Sequence, residues 1–100
     1  MKVVLSTEAA IRLEDQIRYI ARSGAPAAAD RLRQRVLDFL ESHLARFPRT
    51  GAYVADRDLW ETWIPGTRLV VWYRIMHGKL YVVTVWHTAQ DRLRDPSNDG

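Results

Sequence analysis

The sequence predicts an α+β fold: an N-terminal strand, a two-helix antiparallel hairpin and then a three-stranded antiparallel meander, with the helices packed on one face of the sheet. Three observations predict it. Apolar residues recur every three or four positions in the first half of the chain and at alternate positions in the second half, and a short apolar run precedes both patterns. One hundred residues form one core, so we expect a single domain over residues 1–100.

The first strand and the first helix follow each other directly. The apolar run Lys2–Leu5 predicts a short strand. Ser6 or Thr7 then supplies a side-chain cap for a helix over 7–22. Glu8 in the first turn favours the same start through the helix dipole. The apolar side chains that recur at helical spacing are Ala10, Leu13, Ile17 and Ile20.

The second helix begins and ends at strong local signals. Gly24 stops the first helix, and Pro26 suits the first turn of the next one. The second helix is expected over 26–46, because Pro48 forces the preceding residue out of the helical region. So short a link predicts an antiparallel pair. The helix also carries three arginines that we interpret as a solvated face rather than a phosphate-binding stripe: Arg31, Arg33 and Arg35.

The second half of the chain is expected to form strands after a loop. Residues 48–58 contain proline, glycine and charges without periodicity, which predicts a loop. Two turns then separate the strands, Pro65-Gly66-Thr67 and the two-residue turn His77-Gly78. The tail from about 93 is polar and is expected to fray. The three predicted strands are Leu59–Ile64, Arg68–Met76 and Lys79–His87.

The two-residue turn predicts which side chains oppose each other in the last two strands. The register gives these pairs: Arg74 with Tyr81, Trp72 with Val83, and Arg68 with His87. If the preceding turn keeps Trp63 opposite Arg68, then Glu61 and Trp63 join the face of Trp72. Trp86 falls on the other face, which is nearly all apolar, and is expected to lie in the core under the helices.

The sheet face turned away from the helices is expected to bind a partner. It combines an apolar floor with charged and aromatic side chains, whereas a sheet face open to water usually carries short polar groups. An apolar patch rimmed by charges is typical of an interaction site. The candidate partner-binding residues are Trp63, Arg68, Trp72, Arg74, Tyr81 and His87.

Three side chains of that face also suit phosphodiester cleavage. Glu61 or His87 would remove the proton of a ribose 2′-hydroxyl, and Arg68 would neutralise the charge that develops on phosphorus. A neighbouring aromatic ring would stack an unpaired base. The competing interpretation is structural, with Glu61 paired to an arginine and His87 capping the edge of the sheet.

Composition excludes several classes of protein. The absence of cysteine excludes a disulfide framework, a thiolate nucleophile and cysteine-ligated zinc. The spacing of His43, His77 and His87 matches no metal-ligand motif, and no glycine-rich phosphate loop occurs, so neither a metal nor a cofactor is expected.

Apolar runs are too short for a membrane span or a signal peptide, so we expect a soluble cytoplasmic protein. The net charge of +3, carried by 13 Arg against 2 Lys, suits an anionic partner, either nucleic acid or an acidic protein segment.

Four segments carry a family resemblance through their order and spacing: VLSTEAAIRLEDQIRYIA, LARFPRTG, LWETWIPGTRLVVWYRI and VTVWHTAQD. Together they resemble the RelE/ParE superfamily of small bacterial toxins from type II toxin–antitoxin systems. The resemblance covers nearly all of residues 3–92.

The resemblance implies a toxin held inactive in a hetero-oligomer with a cognate antitoxin, whose disordered C-terminal segment would fold over the toxin's exposed face. ParE-like members bind DNA gyrase without being nucleases, whereas RelE-like members cut mRNA on the ribosome. The long helical hairpin and the ending WHTAQD resemble the ParE-like branch more closely, so we expect a gyrase inhibitor. The alternatives are a ribosome-dependent mRNA endoribonuclease and a non-toxic antitoxin-binding module.

The resemblance also implies roles for single residues. The stretch 66–70 is similar to the one that carries the phosphate-binding arginine of RelE-like nucleases, which implies that role for Arg68. His87 lies where nucleases of the superfamily keep an acid or a base, and Glu61 lies near a position where some use a glutamate base. Two departures weigh against cleavage: residues 48–58 lack the lysine cluster of RelE, and no tyrosine follows His87.

Overall fold

The sheet has five strands: β1 (Lys2–Leu5), β2 (Ala52–Val54), β3 (Leu59–Trp63), β4 (Leu69–Met76) and β5 (Lys79–His87). The computed structural model describes residues 1–88, so the predicted polar tail from about 93 lies outside the described residues. The strands are arranged in the order β1-β5-β4-β3-β2. β1 runs parallel to β5, and the remaining neighbours are antiparallel. The predicted fold class is confirmed.

Two helices cover one face of the sheet. Helix α1 (Thr7–Arg22) matches its predicted bounds, and Ser6 caps it because its Oγ accepts a hydrogen bond from the Ala9 N–H at 3.0 Å. Helix α2 (Pro26–Asp38) starts at the proline, as predicted. It continues without a break into one π-helical turn, Phe39–Leu44, so the helical stretch nearly fills the predicted range.

The main core lies between the helices and the sheet. Helix α1 contributes one residue per turn to it, Ala9, Leu13 and Ile17, each at most 5% exposed. The amphipathic spacing therefore predicted the buried side correctly for Leu13 and Ile17, while Ala10 is exposed and Ala9 takes its place. The sheet side of this core consists of Leu69, Val71, Tyr73, Leu80, Val82 and Val85.

A smaller apolar cluster lies on the opposite face of the sheet. Leu59, Val70 and Trp72 form its buried centre, and each is at most 4% exposed. Half-buried neighbours pack around them, namely Val54, Val83 and Trp86. The sheet is thus apolar on both faces, and Trp72 lies on the face that its position in the strand predicted.

The predicted register of the last two strands is right near the turn and wrong beyond it. Arg74 pairs with Tyr81 as expected, around a turn in which His77 has a φ of 52° and Gly78 one of 70°. A β-bulge then inserts one extra residue in β5, Val83. Beyond the bulge the pairs are corrected by one position: Trp72 with Thr84, Val70 with Trp86, and Leu69 with His87.

The bulge exchanges the faces of Trp86 and His87. Because side chains alternate along a strand, one inserted residue turns every later side chain to the opposite face. Trp86, expected in the core under the helices, packs against Trp72 on the other face instead. His87, expected opposite Arg68 on that other face, pairs with Leu69 on the helix side.

The cap of α1 explains why the bulge is stable. Besides accepting from Ala9, the Ser6 hydroxyl donates to the backbone oxygen of Val83 at 2.7 Å. The Ser6 N–H donates to the backbone oxygen of Val82 at 2.9 Å. The carbonyl groups around the extra residue therefore have partners, which a buried backbone acceptor requires.

Residues 48–58 were predicted as a loop but contain the edge strand β2 and a short 3-10 turn, Ala55–Arg57. Gly51 precedes β2 at a point where a Cβ atom would lie 2.4 Å from the Glu61 backbone oxygen. The next turn differs by two residues from expectation, since Trp63 pairs with Val70 rather than with Arg68. A shift of two preserves the face, so Glu61 and Trp63 lie on the side of Trp72 as predicted.

Candidate functional site

The residues predicted to form one surface are divided between two sides of the sheet. Arg68 and His87 line a cleft of about 360 Å³ on the helix side, between α1, α2, the β3–β4 turn and the end of β5. We call it the arginine cleft, because Arg31 and Arg35 of α2 line it together with Arg68. Its floor is apolar and consists of Ile20, Leu32 and Leu69.

The arginine cleft carries positive charge without compensation. Of the described residues that line it, none is Asp or Glu. Arg31, Arg35 and Arg68 take part in no ion pair within residues 1–88, whereas Arg33 on the same helix reaches Glu14 at 3.3 Å and Asp30 at 3.6 Å. The three arginines expected to form one solvated face of α2 therefore differ. Arg31 and Arg35 line the cleft without an ion pair, whereas Arg33 is paired with carboxylates.

The β3–β4 turn is shaped to let α2 approach it. Gly66 has a φ of +77°, and a Cβ atom there would lie 2.6 Å from the Arg35 guanidinium. The Thr67 hydroxyl donates to the Ile64 backbone oxygen at 2.7 Å and accepts from the Leu69 N–H at 3.0 Å. The Arg68 carbonyl accepts from the Thr88 N–H at 3.0 Å. The backbone that carries Arg68 is therefore held on both sides.

The second surface is the sheet face turned away from the helices, which we call the tryptophan face. Its residues are Glu61, Trp63, Trp72, Arg74, Tyr81 and Trp86. Trp72, a candidate partner-binding residue, is only 4% exposed. Its indole N–H donates to Glu61 Oε2 at 2.6 Å, the Arg57 guanidinium lies 5.6 Å from the centre of its ring, and the Trp86 ring meets it edge-on at 6.4 Å.

Other members of the tryptophan face differ in how accessible they are. The Arg74 guanidinium donates to the backbone oxygens of Asp58 and Arg57 at 3.0 and 3.2 Å, so it holds the segment before β3. Tyr81 is half-buried beside it. Trp63 is 56% exposed and is the tryptophan of this face that a partner can reach directly.

The three candidates for phosphodiester cleavage do not form one group. Arg68 and His87 line the arginine cleft, whereas Glu61 lies on the tryptophan face with its carboxylate bound to the Trp72 indole. The sheet separates Glu61 from His87. Acid–base cleavage by this trio would require both side chains on one phosphodiester. The bulge therefore corrects the expectation that these three side chains share one face.

The described chain offers no obvious metal centre or membrane span. Within residues 1–88, no group of three or more His, Asp or Glu side chains is placed to hold a metal ion. His43 lies between the rings of Phe39 and Phe47, and His77 lies in the last turn of the sheet. No helix among these residues is long and apolar enough to cross a bilayer.

Sequence reasoning missed the contribution of α2 to the site. Arg31 and Arg35 are one helical turn apart, so their side chains lie on the same side of α2 and Arg33 does not. That spacing was readable, but which element faces those two arginines depends on how the hairpin docks on the β3–β4 turn. The glycine at position 66, which permits the close approach of Arg35, is the one local signal of that contact.

Comparison of the sequence and the fold with known proteins identifies the family of this chain. The fold is similar to that of a chain from the chromosomal ParDE toxin–antitoxin system of P. aeruginosa, with a TM-score of 0.71 over 87% of this chain and 95% of that chain. At 10% identity that likeness is one of fold. No sequence among the curated proteins matches the chain significantly. The family model for the ParE toxin of the type II toxin–antitoxin system parDE matches residues 3–92. Because that match spans nearly the whole sequence, this chain belongs to the ParE toxin family of type II toxin–antitoxin systems.

Proposed function

We propose that this chain inhibits growth by binding DNA gyrase in the cytoplasm, and that a cognate antitoxin neutralises it in a hetero-oligomer. The observation that carries the proposal is the match to the ParE toxin family over residues 3–92. The likeness in fold to a chain of a ParDE toxin–antitoxin system supports the pairing with an antitoxin.

The separation of the candidate catalytic groups supports binding rather than cleavage. Glu61 accepts a hydrogen bond from the Trp72 indole on the tryptophan face, and this contact gives it a structural role. His87 lies across the sheet in the arginine cleft, where no described carboxylate lines the wall. A toxin that acts by occupying its target needs complementary surface and no acid–base pair.

A ribosome-dependent mRNA endoribonuclease is the second candidate function, and one observation favours it. Arg68 and His87 line the same cleft, so a cation for phosphate and an imidazole for proton transfer are available on one side of the sheet. Such an enzyme would use Arg68 and His87 without Glu61.

Induction of the chain without its antitoxin separates the possibilities. Gyrase binding predicts cleaved DNA and filamentous cells, while the endoribonuclease predicts trimmed mRNA and arrested translation. Normal growth at full expression would indicate an antitoxin-binding module without toxicity and would contradict the proposal.

Variants of the cleft residues sharpen the same experiment. An endoribonuclease loses toxicity in both Arg68→Ala and His87→Ala, because each removes a group that acts on the phosphodiester. Arg46→Ala changes an exposed arginine outside the cleft and serves as the control. Co-expression with the product of the neighbouring reading frame tests neutralisation, and failure to restore growth would exclude that product as the antitoxin.

A further inference from the structure

The arginine cleft combines features that fit one chemical class of ligand. We propose that it binds an acidic polypeptide segment, with carboxylates on Arg31, Arg35 and Arg68 and an apolar side chain on the floor between them. The proposal rests on the proposed function in one respect: there, the segment belongs to the antitoxin.

The first reason to expect an acidic ligand is the positive charge of the cleft. Three arginines line one cleft, and within the described chain none of them forms an ion pair. The Arg35 guanidinium is also packed against the backbone of Gly66, which holds it at the cleft wall. Guanidinium groups bind carboxylates through two parallel hydrogen bonds, and such charge-assisted bonds are about twice as strong as neutral ones.

The second reason to expect a polypeptide is the spacing between the arginines of α2. Arg31 and Arg35 are one turn apart on α2, so their Cβ atoms are separated by about 5–6 Å. Alternate side chains of an extended segment repeat at about 6.6 Å, and side chains one turn apart on a helix repeat at about the α2 spacing. A shallow groove lined by Arg31, Gln34, Arg35 and Asp38 continues along the outside of α2 from the same two arginines. The surface therefore offers a path for a segment with regularly spaced acids.

The floor distinguishes a peptide from a nucleic acid. Ile20, Leu32 and Leu69 present aliphatic surface, which gains free energy by covering an apolar side chain. Single-stranded nucleic acid stacks successive bases on aromatic rings. Among residues 1–88 the His87 imidazole is the one aromatic ring that lines the cleft, and no Trp, Tyr or Phe does, so a run of bases finds no continuous stacking surface there. The tryptophans at positions 63, 72 and 86 lie on the opposite face of the sheet.

Fluorescence anisotropy with the purified chain tests the proposal. The probe is a labelled peptide of glutamate and leucine residues, and its copy with glutamine in place of glutamate is the charge control. We expect the acidic peptide to bind and the glutamine copy to bind at least about tenfold more weakly, since one charge-assisted hydrogen bond accounts for about that factor. An unlabelled single-stranded oligonucleotide should fail to displace the peptide.

Arginine variants locate the binding. Arg31→Gln, Arg35→Gln and Arg68→Gln combined should weaken peptide binding by at least about tenfold, while the matched control Arg33→Gln, on the same helix, should change it by less than about twofold. Circular dichroism melting verifies that both variants fold. The corresponding triple change to lysine keeps the charge and should restore part of the affinity, which distinguishes a charge effect from a folding defect.

Several results would overturn the proposal. These are absence of peptide binding, equal loss in Arg33→Gln and in the triple variant, or displacement of the peptide by the oligonucleotide. The same protein preparation, tested for inhibition of gyrase supercoiling, keeps the two proposals apart. Inhibition of gyrase without peptide binding would remove the acidic-segment site and leave the proposed function standing.

Discussion

One extra residue in β5 decides on which face of the sheet Trp86 and His87 lie. Val83 is the extra residue of the β5 bulge, and it turns Trp86 toward Trp72 and His87 toward the helices. The residue types suggested that one of this adjacent pair is structural and the other belongs to a site. The structure reverses the faces on which the two side chains lie, and a role of His87 in a site remains a prediction.

Glu61 provides a direct test of a structural role against a catalytic one. Its carboxylate accepts the Trp72 indole N–H at 2.6 Å in a half-buried setting. Glu61→Ala leaves that donor without a partner and should lower the free energy of unfolding by about 1–3 kcal/mol. Glu61→Gln keeps an acceptor, so it should lose less and should retain growth inhibition. Urea denaturation measures the first effect and induced growth the second. Loss of toxicity in a stable Glu61→Gln protein would contradict the structural role.

Tyr73 is expected to make stability fall at alkaline pH. Burial raises the pKa of its phenol above the ordinary value of 10.0, and a hydrogen bond from the Gly51 backbone opposes this only in part. Its hydroxyl also donates to the Pro48 backbone oxygen at 2.7 Å. The folded state therefore holds the proton more tightly than the unfolded state, so stability is unchanged below the ordinary pKa and decreases as pH rises past it.

Urea midpoints measured between about pH 8 and about pH 11 verify this dependence. Tyr53 contributes in the same direction, because its hydrogen bond to the Asp58 carboxylate raises the pKa of its phenol. Tyr73→Phe should lower stability at neutral pH and flatten the alkaline part of the curve. An alkaline slope unchanged in Tyr73→Phe would show that other groups control it.

Among the elements, those set by local signals were predictable and those set by distant contacts were not. The bounds of α1 and β5 follow from a capping serine and a two-residue turn, and both agree with prediction. The bulge was not predictable, because the partner of the Val83 carbonyl is Ser6, at the other end of the chain. Strand β2 has only three residues, too few to show an alternation of apolar and polar side chains in the sequence. It also depends on the close approach of Gly51 to β3, which no local pattern indicates.

Ser6 should therefore matter to two elements at once. Ser6→Ala removes the cap of α1 and the donor to the Val83 carbonyl, so the loss should exceed the roughly 1 kcal/mol typical of a cap alone. Ser23→Ala is the matched control, since the Ser23 hydroxyl is exposed and bonds only locally, to the Tyr19 backbone oxygen. Denaturant titration of both variants measures the difference. Equal losses would indicate that the bulge does not depend on Ser6.

At the scale of the whole molecule, the sequence predicted the family and fold class but not the distribution of its surfaces. The helical hairpin and the meander are consequences of periodicity. The resemblance of four segments to the RelE/ParE superfamily, and to its ParE-like branch, is confirmed by the match to the ParE toxin family over residues 3–92. The arginine cleft arises only when α2 docks beside the β3–β4 turn, so that Arg31 and Arg35 meet Arg68. No local pattern specifies that docking.

The arginine cleft and the tryptophan face lie on opposite sides of the sheet, so a partner can bind one surface or both. The arginine cleft faces the helix side, while the exposed Trp63 lies on the other side of the sheet. A partner that covers both would wrap the chain, as proposed for the antitoxin. A partner that touches one leaves the other available.

The proposed inhibition of gyrase by binding, without catalysis, can be tested in a supercoiling assay with purified components. Purified chain, gyrase, ATP and relaxed plasmid are combined, and a translating extract with a reporter mRNA is treated in parallel. We expect loss of supercoiling or accumulation of cleaved plasmid, with the reporter mRNA intact. Normal supercoiling together with cleavage of the reporter mRNA would contradict it.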